Sequence, residues 1–209
     1  MEDYKKIVDH YESCFEQHGD TSKGMDWPNE SENIRRFNVM LGVIGSRGNS
    51  NTTLLDFGCG TAHLLDYIKT NTSYDLRYSG CDLSAVFINV AKKKHFGSDF
   101  YELDILNKSQ DLPNFDFIIC NGVFTEKREL SFDQMWEYFK KIILIIYEKA
   151  NCGISFNVMS KAVDWERDDL FHLSTDLLIN FITQNISRNF IIRNDYGLYE
   201  YTVYIYKEI

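Results

Sequence analysis

From residue 53 onward the chain alternates short apolar runs with amphipathic stretches. The runs at 53–57, 76–81, 99–103, 115–121 and 153–158 have strand length and carry many aliphatic and aromatic side chains. Between them, 61–70, 84–94 and 132–149 place apolar residues at helical spacing. Strands that alternate with helices predict a parallel, doubly wound sheet with helices on both faces. The apolar run over 115–120, interrupted only by Asp116, suits a strand buried on two sides, and that over 142–146 suits a buried helix face. Toward the end the pattern changes. Ser174-Thr-Asp caps a predicted helix that runs to about residue 186, and two strands follow at 189–193 and 199–206. The turn at 194–197 is too short for a helical crossover, so this last pair must be antiparallel.

The first 48 residues read differently. An amphipathic helix is predicted over 2–17, ending at His18-Gly19, a loop over 19–28 and a second helix over 30–46. No repeat, low-complexity segment or linker interrupts the chain. The expectation is one domain over 1–209, with a helical cap at 1–48 and an α/β core at 49–209.

Composition narrows the partners. The net charge of −9 argues against a nucleic-acid substrate, which calls for a basic face. The one basic cluster, Lys92–Lys94, closes a predicted helix, where it complements the dipole. The 13 Tyr suit a polar ligand with apolar faces. The five Cys lack metal-ligand spacing and read as reduced, buried thiols, and no metal site is expected. No signal-peptide core is present, and no apolar run approaches the ~20 residues of a membrane span. A cytoplasmic protein without membrane insertion is expected; oligomeric state is not legible.

The chemistry centres on Thr53-Leu-Leu-Asp56-Phe-Gly58-Cys59-Gly60-Thr61. A strand ends in an acid, a glycine turn follows, and a helix begins. Glycine lets a ligand touch backbone, and the helix start offers free N–H groups. A dinucleotide loop would need a third glycine where His63 stands, and a P-loop would need Gly-Lys-Ser/Thr. Asp56 beside the turn repels a pyrophosphate and welcomes a cation. S-adenosylmethionine meets these conditions, with an ammonium, a sulfonium, a ribose diol and no phosphate.

The same run resembles the first motif of the class I S-adenosylmethionine-dependent methyltransferases. Three further segments match in family order: Tyr78-Ser-Gly-Cys-Asp82-Leu83-Ser84, Tyr101-Glu-Leu-Asp104-Ile105 and Phe117-Ile-Ile-Cys-Asn121-Gly122-Val-Phe124. The resemblance implies a Rossmann-like fold with a seven-stranded, mostly parallel sheet and a C-terminal antiparallel hairpin. It implies that Asp56, Gly58, Cys59, Gly60 and Thr61 cradle the cofactor and that Asp82, with Leu83, takes the ribose hydroxyls. Asp104 and Ile105 would flank adenine, and Asn121 and Gly122 would line the methyl-transfer site. Trp27, in the polar loop 18–28, would close over the cofactor or substrate. The whole chain also resembles, more loosely, small methyltransferases encoded with bacterial surface-polysaccharide genes.

Ligands of open α/β sheets lie beyond the carboxyl ends of the strands. That singles out the loop after the fourth strand and the charged, aromatic segment 157–172 as acceptor elements. Phe124, Trp165, Arg167 and Tyr196 are candidate substrate contacts. His172 is the first candidate base and Glu126 the second, with His18 a further option. The expected function is methyl transfer to a small molecule, such as a sugar or surface-glycan precursor. A catalytically silent cofactor-binding regulatory module is the alternative, and a nicotinamide oxidoreductase a third reading.

Overall fold

The computed structural model describes residues 4–27 and 29–208. Pro28, the end of the expected 19–28 loop, lies outside them, as do residues 2 and 3 of the expected first helix. The N-terminal part forms α1 (Lys5–His18) and α2 (Glu30–Leu41). Gly19 ends α1 at φ 65°, a left-handed value that glycine adopts at little cost. The second helix is shorter than expected. It stops before Gly42, and Gly45 takes φ 52°. Val43 and Ile44, which extended the apolar pattern, leave the helix and go into the core at 0% exposure.

The alternating part forms β1 (Thr53–Phe57), α3 (His63–Asn71), β2 (Arg77–Asp82), α4 (Ala85–Lys94) and β3 (Asp99–Glu102). A single turn α5 (Ile105–Lys108), β4 (Phe115–Phe124), α6 (Phe132–Lys149) and β5 (Ala150–Ser160) follow. The chain closes with β6 (His172–Leu173), α7 (Thr175–Asn185), β7 (Phe190–Arg193) and β8 (Glu200–Tyr206). The sheet runs β3-β2-β1-β4-β5-β8-β7. The strands from β3 to β5 are parallel, and β8 pairs antiparallel with both β5 and β7. The seven expected strands form this path. The sequence pattern missed α5 and the two-residue β6, which pairs in parallel with the end of β5. Elements of two to four residues are too short to show a period.

Two apolar layers cover the sheet. On one face α6 and α7 contribute Phe139, Ile143 and Ile182 against Phe156 and Val203. On the other, α2, α3 and α4 contribute Met40, Leu65 and Ile88 against Phe117 and Tyr204. The capping box that starts α6 explains its sharp beginning: Ser131 and Gln134 exchange side-chain and backbone hydrogen bonds. At the carboxyl edge of the sheet the β4–β5 register shifts between Cys120 and Phe124, where Gly122 takes φ 81°. This irregularity re-aims the chain where a ligand would approach.

Candidate active site

A cavity of about 160 Å³ lies at the carboxyl ends of β1, β2 and β4. Its floor is the glycine turn. Gly58 N and Cys59 N both donate to Cys81 O, at 2.8 and 3.1 Å. Gly60 N donates to Asp82 Oδ2 and Ser84 N to Asp82 Oδ1, each at 2.9 Å. The loop and the acid therefore hold each other in place. Gly58 has φ 77°, and a Cβ there would strike the Val123 side chain. Asn121 and Gly122 form one wall, and a Cβ on Gly122 would strike the Trp27 ring. Tyr4, immediately before α1, and Tyr11 of α1 complete the roof with Trp27.

The electrostatics of the floor favour a cation. Asp56 is 3% exposed and accepts the Tyr78 hydroxyl at 2.7 Å. Burial pushes its carboxyl up to about 7, against the pull of the Tyr78 hydrogen bond and with help from nearby Asp82. Burial also raises Asp82, an effect that the Ser84 and Gly60 N–H groups oppose. Asn121 Oδ1 is enclosed and has no hydrogen-bond partner among the described residues. A buried acid, Asp56, a half-buried one, Asp82, an orphaned acceptor and a glycine cradle fit a cationic, phosphate-free ligand.

Nine of the expected cofactor residues meet around this cavity: Asp56, Gly58, Cys59, Gly60, Asp82, Leu83, Asn121, Gly122 and Trp27. Three do not line it. Thr61 donates to Asp20 Oδ1 at 2.5 Å and fastens the N-terminal loop to the glycine turn. Asp104 caps α5 through Leu106 N and accepts the Tyr4 hydroxyl at 2.7 Å. Ile105 is 2% exposed in the apolar core.

The acceptor expectations are corrected more heavily. Phe124 is a core residue whose ring meets Phe139 edge-on, with centroids 4.9 Å apart. Tyr196 is buried with its hydroxyl 2.9 Å from Thr202 Oγ1. Trp165 is 74% exposed and does not line the cavity. Arg167 is tied to Asp169 by two hydrogen bonds of 3.0 and 2.5 Å. His172 is not placed to act as a base. Its Nδ1 lies 2.6 Å from Ser160 O and its Nε2 accepts from Arg167 N at 3.2 Å, so both ring nitrogens hold the loop end together. His18 is exposed at the end of α1. Glu126 remains near the site: it is 9% exposed, and burial raises its carboxyl to about 7, with Arg128 opposing.

Sequence reading missed a buried polar chain behind the cavity wall. Gly122 N donates to Asn157 Oδ1 at 2.8 Å, and Asn157 Nδ2 to Glu200 Oε1 at 2.9 Å. Arg36 Nε donates to Glu200 Oε2 at 2.9 Å while its guanidinium lies 4.2 Å from the centre of the Trp27 ring. This chain joins the floor at Gly122 to the roof at Trp27. One signal was available: a glutamate opening a strand that is otherwise aromatic and β-branched has to find a buried partner.

The family model described as a methyltransferase domain matches residues 55–143, which span the glycine turn to the middle of α6. A Mycobacterium tuberculosis (strain ATCC 25618 / H37Rv) protein named "Putative methyltransferase Rv1506c" is 26% identical over 155 residues, covering 73% of this chain and 91% of its own. The fold matches magnesium protoporphyrin IX methyltransferase from Synechocystis PCC 6803 with bound S-adenosylmethionine (TM-score 0.67, 14% identity, 100% of this chain and 98% of that one). It also matches the plantazolicin methyltransferase BpumL in complex with a pentazolic desmethylPZN analogue and S-adenosylhomocysteine (TM-score 0.62, 14% identity, 100% of this chain and 99% of that one). The order of the four motifs, the strand order with its terminal antiparallel hairpin and the domain matched over residues 55–143 make this chain similar in sequence and fold to the S-adenosylmethionine-dependent methyltransferases.

Proposed function

We propose that the enzyme methylates a small polar molecule, a sugar or other surface-glycan precursor, in the cytoplasm. The single observation behind the donor half of this reading is the meeting of Asp56, the Gly58–Gly60 turn, Asp82 and Asn121 around one cavity under Trp27. The acceptor half rests on the looser resemblance to polysaccharide-linked methyltransferases. The net charge of −9 supports a small molecule over nucleic acid.

When bound, the cofactor supplies an activated methyl group on a sulfonium. The residues then need only bind, orient and exclude water. Asp82, already oriented by two N–H donors, accepts the ribose hydroxyls beside Leu83. Asp56 faces the cationic end, and the turn from Gly58 through Cys59 to Gly60 gives close backbone approach. Thr61 anchors that turn through Asp20. Asp104 and Ile105 reach adenine only if the Tyr4 hydroxyl yields its place on Asp104. Asn121 and Gly122 wall the transfer site, and Trp27 closes it. Glu126, raised toward neutrality, can take the acceptor's proton.

Titration calorimetry tests the donor half. Micromolar binding of S-adenosylmethionine is expected, with a loss of at least about 100-fold in Asp82→Ala, since a charged hydrogen-bonding group to both hydroxyls goes. Absence of binding to the wild-type protein would refute it. Binding with no turnover across a sugar and metabolite panel would favour a catalytically silent regulatory module.

A further inference from the structure

Next to the cavity, four segments of chain bring a compact set of charges together. Tyr11 joins the two regions: it lines the cavity and hydrogen-bonds Thr125, the neighbour of Glu126. Around Arg128 stand three carboxylates. Glu126 Oε2 lies 2.9 Å from its Nε, Asp26 Oδ2 3.4 Å from Nη2 and Asp169 Oδ2 3.4 Å from Nη1. Arg167 binds the far side of Asp169. His10 Nε2 lies 2.8 Å from Asp26 Oδ2, and the Arg128 guanidinium presses on the same ring. Burial and Arg128 together lower the His10 pKa and keep the ring neutral at pH 7.

The charge count turns on Glu126. With Glu126 ionised, Asp26, Glu126 and Asp169 supply three negative charges against two positive ones from Arg128 and Arg167; with Glu126 protonated, as its burial favours, the two sides balance. Glu126 is buried while Asp26 and Asp169 are partly exposed, so ionising Glu126 leaves one buried carboxylate that calls for a further cation. Hydrogen bonding is incomplete as well. Glu126 Oε2 and Arg128 Nε are close but misaligned, and each is enclosed without a hydrogen bond. The backbone is also unusual here. Asp26 (φ 53°) and Arg128 (φ 49°) are two of the three described non-glycine residues with positive φ, and they face each other. Strain of this kind concentrates at working sites. His10, Cys14 and Asp26 bring three metal-ligand atoms within 4.8 Å, but the Arg128 guanidinium already stands against them as the cation.

We propose that this cluster is the acceptor site and that the acceptor is an amine, docked between Glu126, Asp26 and Asp169 with its nitrogen toward Asn121 Oδ1. The inference rests on the methyltransferase reading of the adjoining cavity. With Glu126 ionised, an anionic acceptor meets net negative charge, and a neutral hydroxyl leaves the excess charge unpaired. An ammonium completes the balance, and its N–H donors match the two orphaned acceptors, Glu126 Oε2 and Asn121 Oδ1. The ammonium gives one proton to the Glu126 carboxylate. The freed nitrogen lone pair forms the new N–C bond as the C–S bond breaks, its electron pair leaving with sulfur in the thioether. Glu126 then releases its proton to solvent.

D-glucosamine and D-glucose differ at one ring substituent and provide the test. Calorimetry on the protein saturated with S-adenosylhomocysteine should show glucosamine binding at least tenfold more tightly. Glu126→Gln should bring the two affinities within about twofold, and Asp26→Asn serves as a second isosteric variant in case the first fails to fold. Equal affinities, no detectable binding of either sugar, or a preference that survives in both variants would overturn the assignment. Failure of the wild-type protein to bind S-adenosylhomocysteine would instead strike the methyltransferase reading itself.

Discussion

The donor and acceptor sides of this molecule are built on opposite principles. The donor side is built on the glycine turn and the ends of neighbouring parallel strands, and its central acid is held by nearby backbone: Asp82 accepts from Gly60 N and Ser84 N. The acceptor side assembles charges from α1, the loop before α2, the end of β4 and the segment before β6. Its groups satisfy one another imperfectly. The difference shows how a shared donor can be served by a local, repeatable turn while the acceptor is read by long-range contacts on loops.

The sharpest way to break this division is to cut the polar chain that links the two sides. Glu200 is 2% exposed and is the partner of both Arg36 and Asn157. Glu200→Ala takes away the partner of the buried Asn157 amide and leaves Arg36 with only its longer contacts to Glu32 and Asn33, and should cost about 3–5 kcal/mol. Chemical denaturation measures that loss. A change under about 1 kcal/mol would mean that the chain does not hold Trp27 against Gly122.

A somewhat smaller effect should follow pH. Asp56 is wholly buried and its carboxyl sits at about 7, against 3.8 when unperturbed. A raised pKa means that its contribution to stability is complete below about pH 4 and is lost as pH rises to about 7. The loss is on the order of 4 kcal/mol. Asp56→Asn should flatten the stability profile of the ligand-free protein over that window. The cationic cofactor should oppose the decline by favouring the ionised acid. A wild-type profile that rises from pH 4 to 7 to the same extent in both proteins would contradict the placement of Asp56.

The smallest effect tests the correction on the acceptor side. Trp165 is 74% exposed and apart from the cavity. Trp165→Ala should change stability by less than about 0.5 kcal/mol and leave cofactor affinity unaltered in calorimetry. A tenfold fall in cofactor affinity would return the residue to the site.

Legibility followed the same division. Pattern alone placed β1, β4, α6 and the terminal hairpin within a few residues, because each is long enough to show its period. It failed at α2, where Gly42 and Gly45 end the helix inside an apolar run. It also failed at β6, which exists only because β5 continues beside it. Asp56, Gly58, Gly60, Asp82 and Asn121 stood out in the sequence because each lies at a strand end or turn, and the parallel pairing of β1 with β2 and β4 brings those ends to one cavity. Phe124 and Tyr196 were misassigned because an aromatic side chain reads alike whether it faces a ligand or the core. His172 was misassigned because sequence does not show which groups use its two ring nitrogens.

The sequence by itself determined the donor: a strand, an acid and a glycine turn fix a cation-favouring cradle through local backbone geometry. It also determined the direction of the last two strands, since the few residues between 193 and 199 cannot make a crossover. Only the tertiary structure decided the rest. His10, Asp26, Glu126 and Asp169 come from separate segments of the chain, and their charges meet around Arg128 only when the fold brings those segments together. The link from Gly122 through Asn157 and Glu200 to Arg36 and Trp27 likewise depends on β8 lying against β5, a pairing of residues more than 40 positions apart.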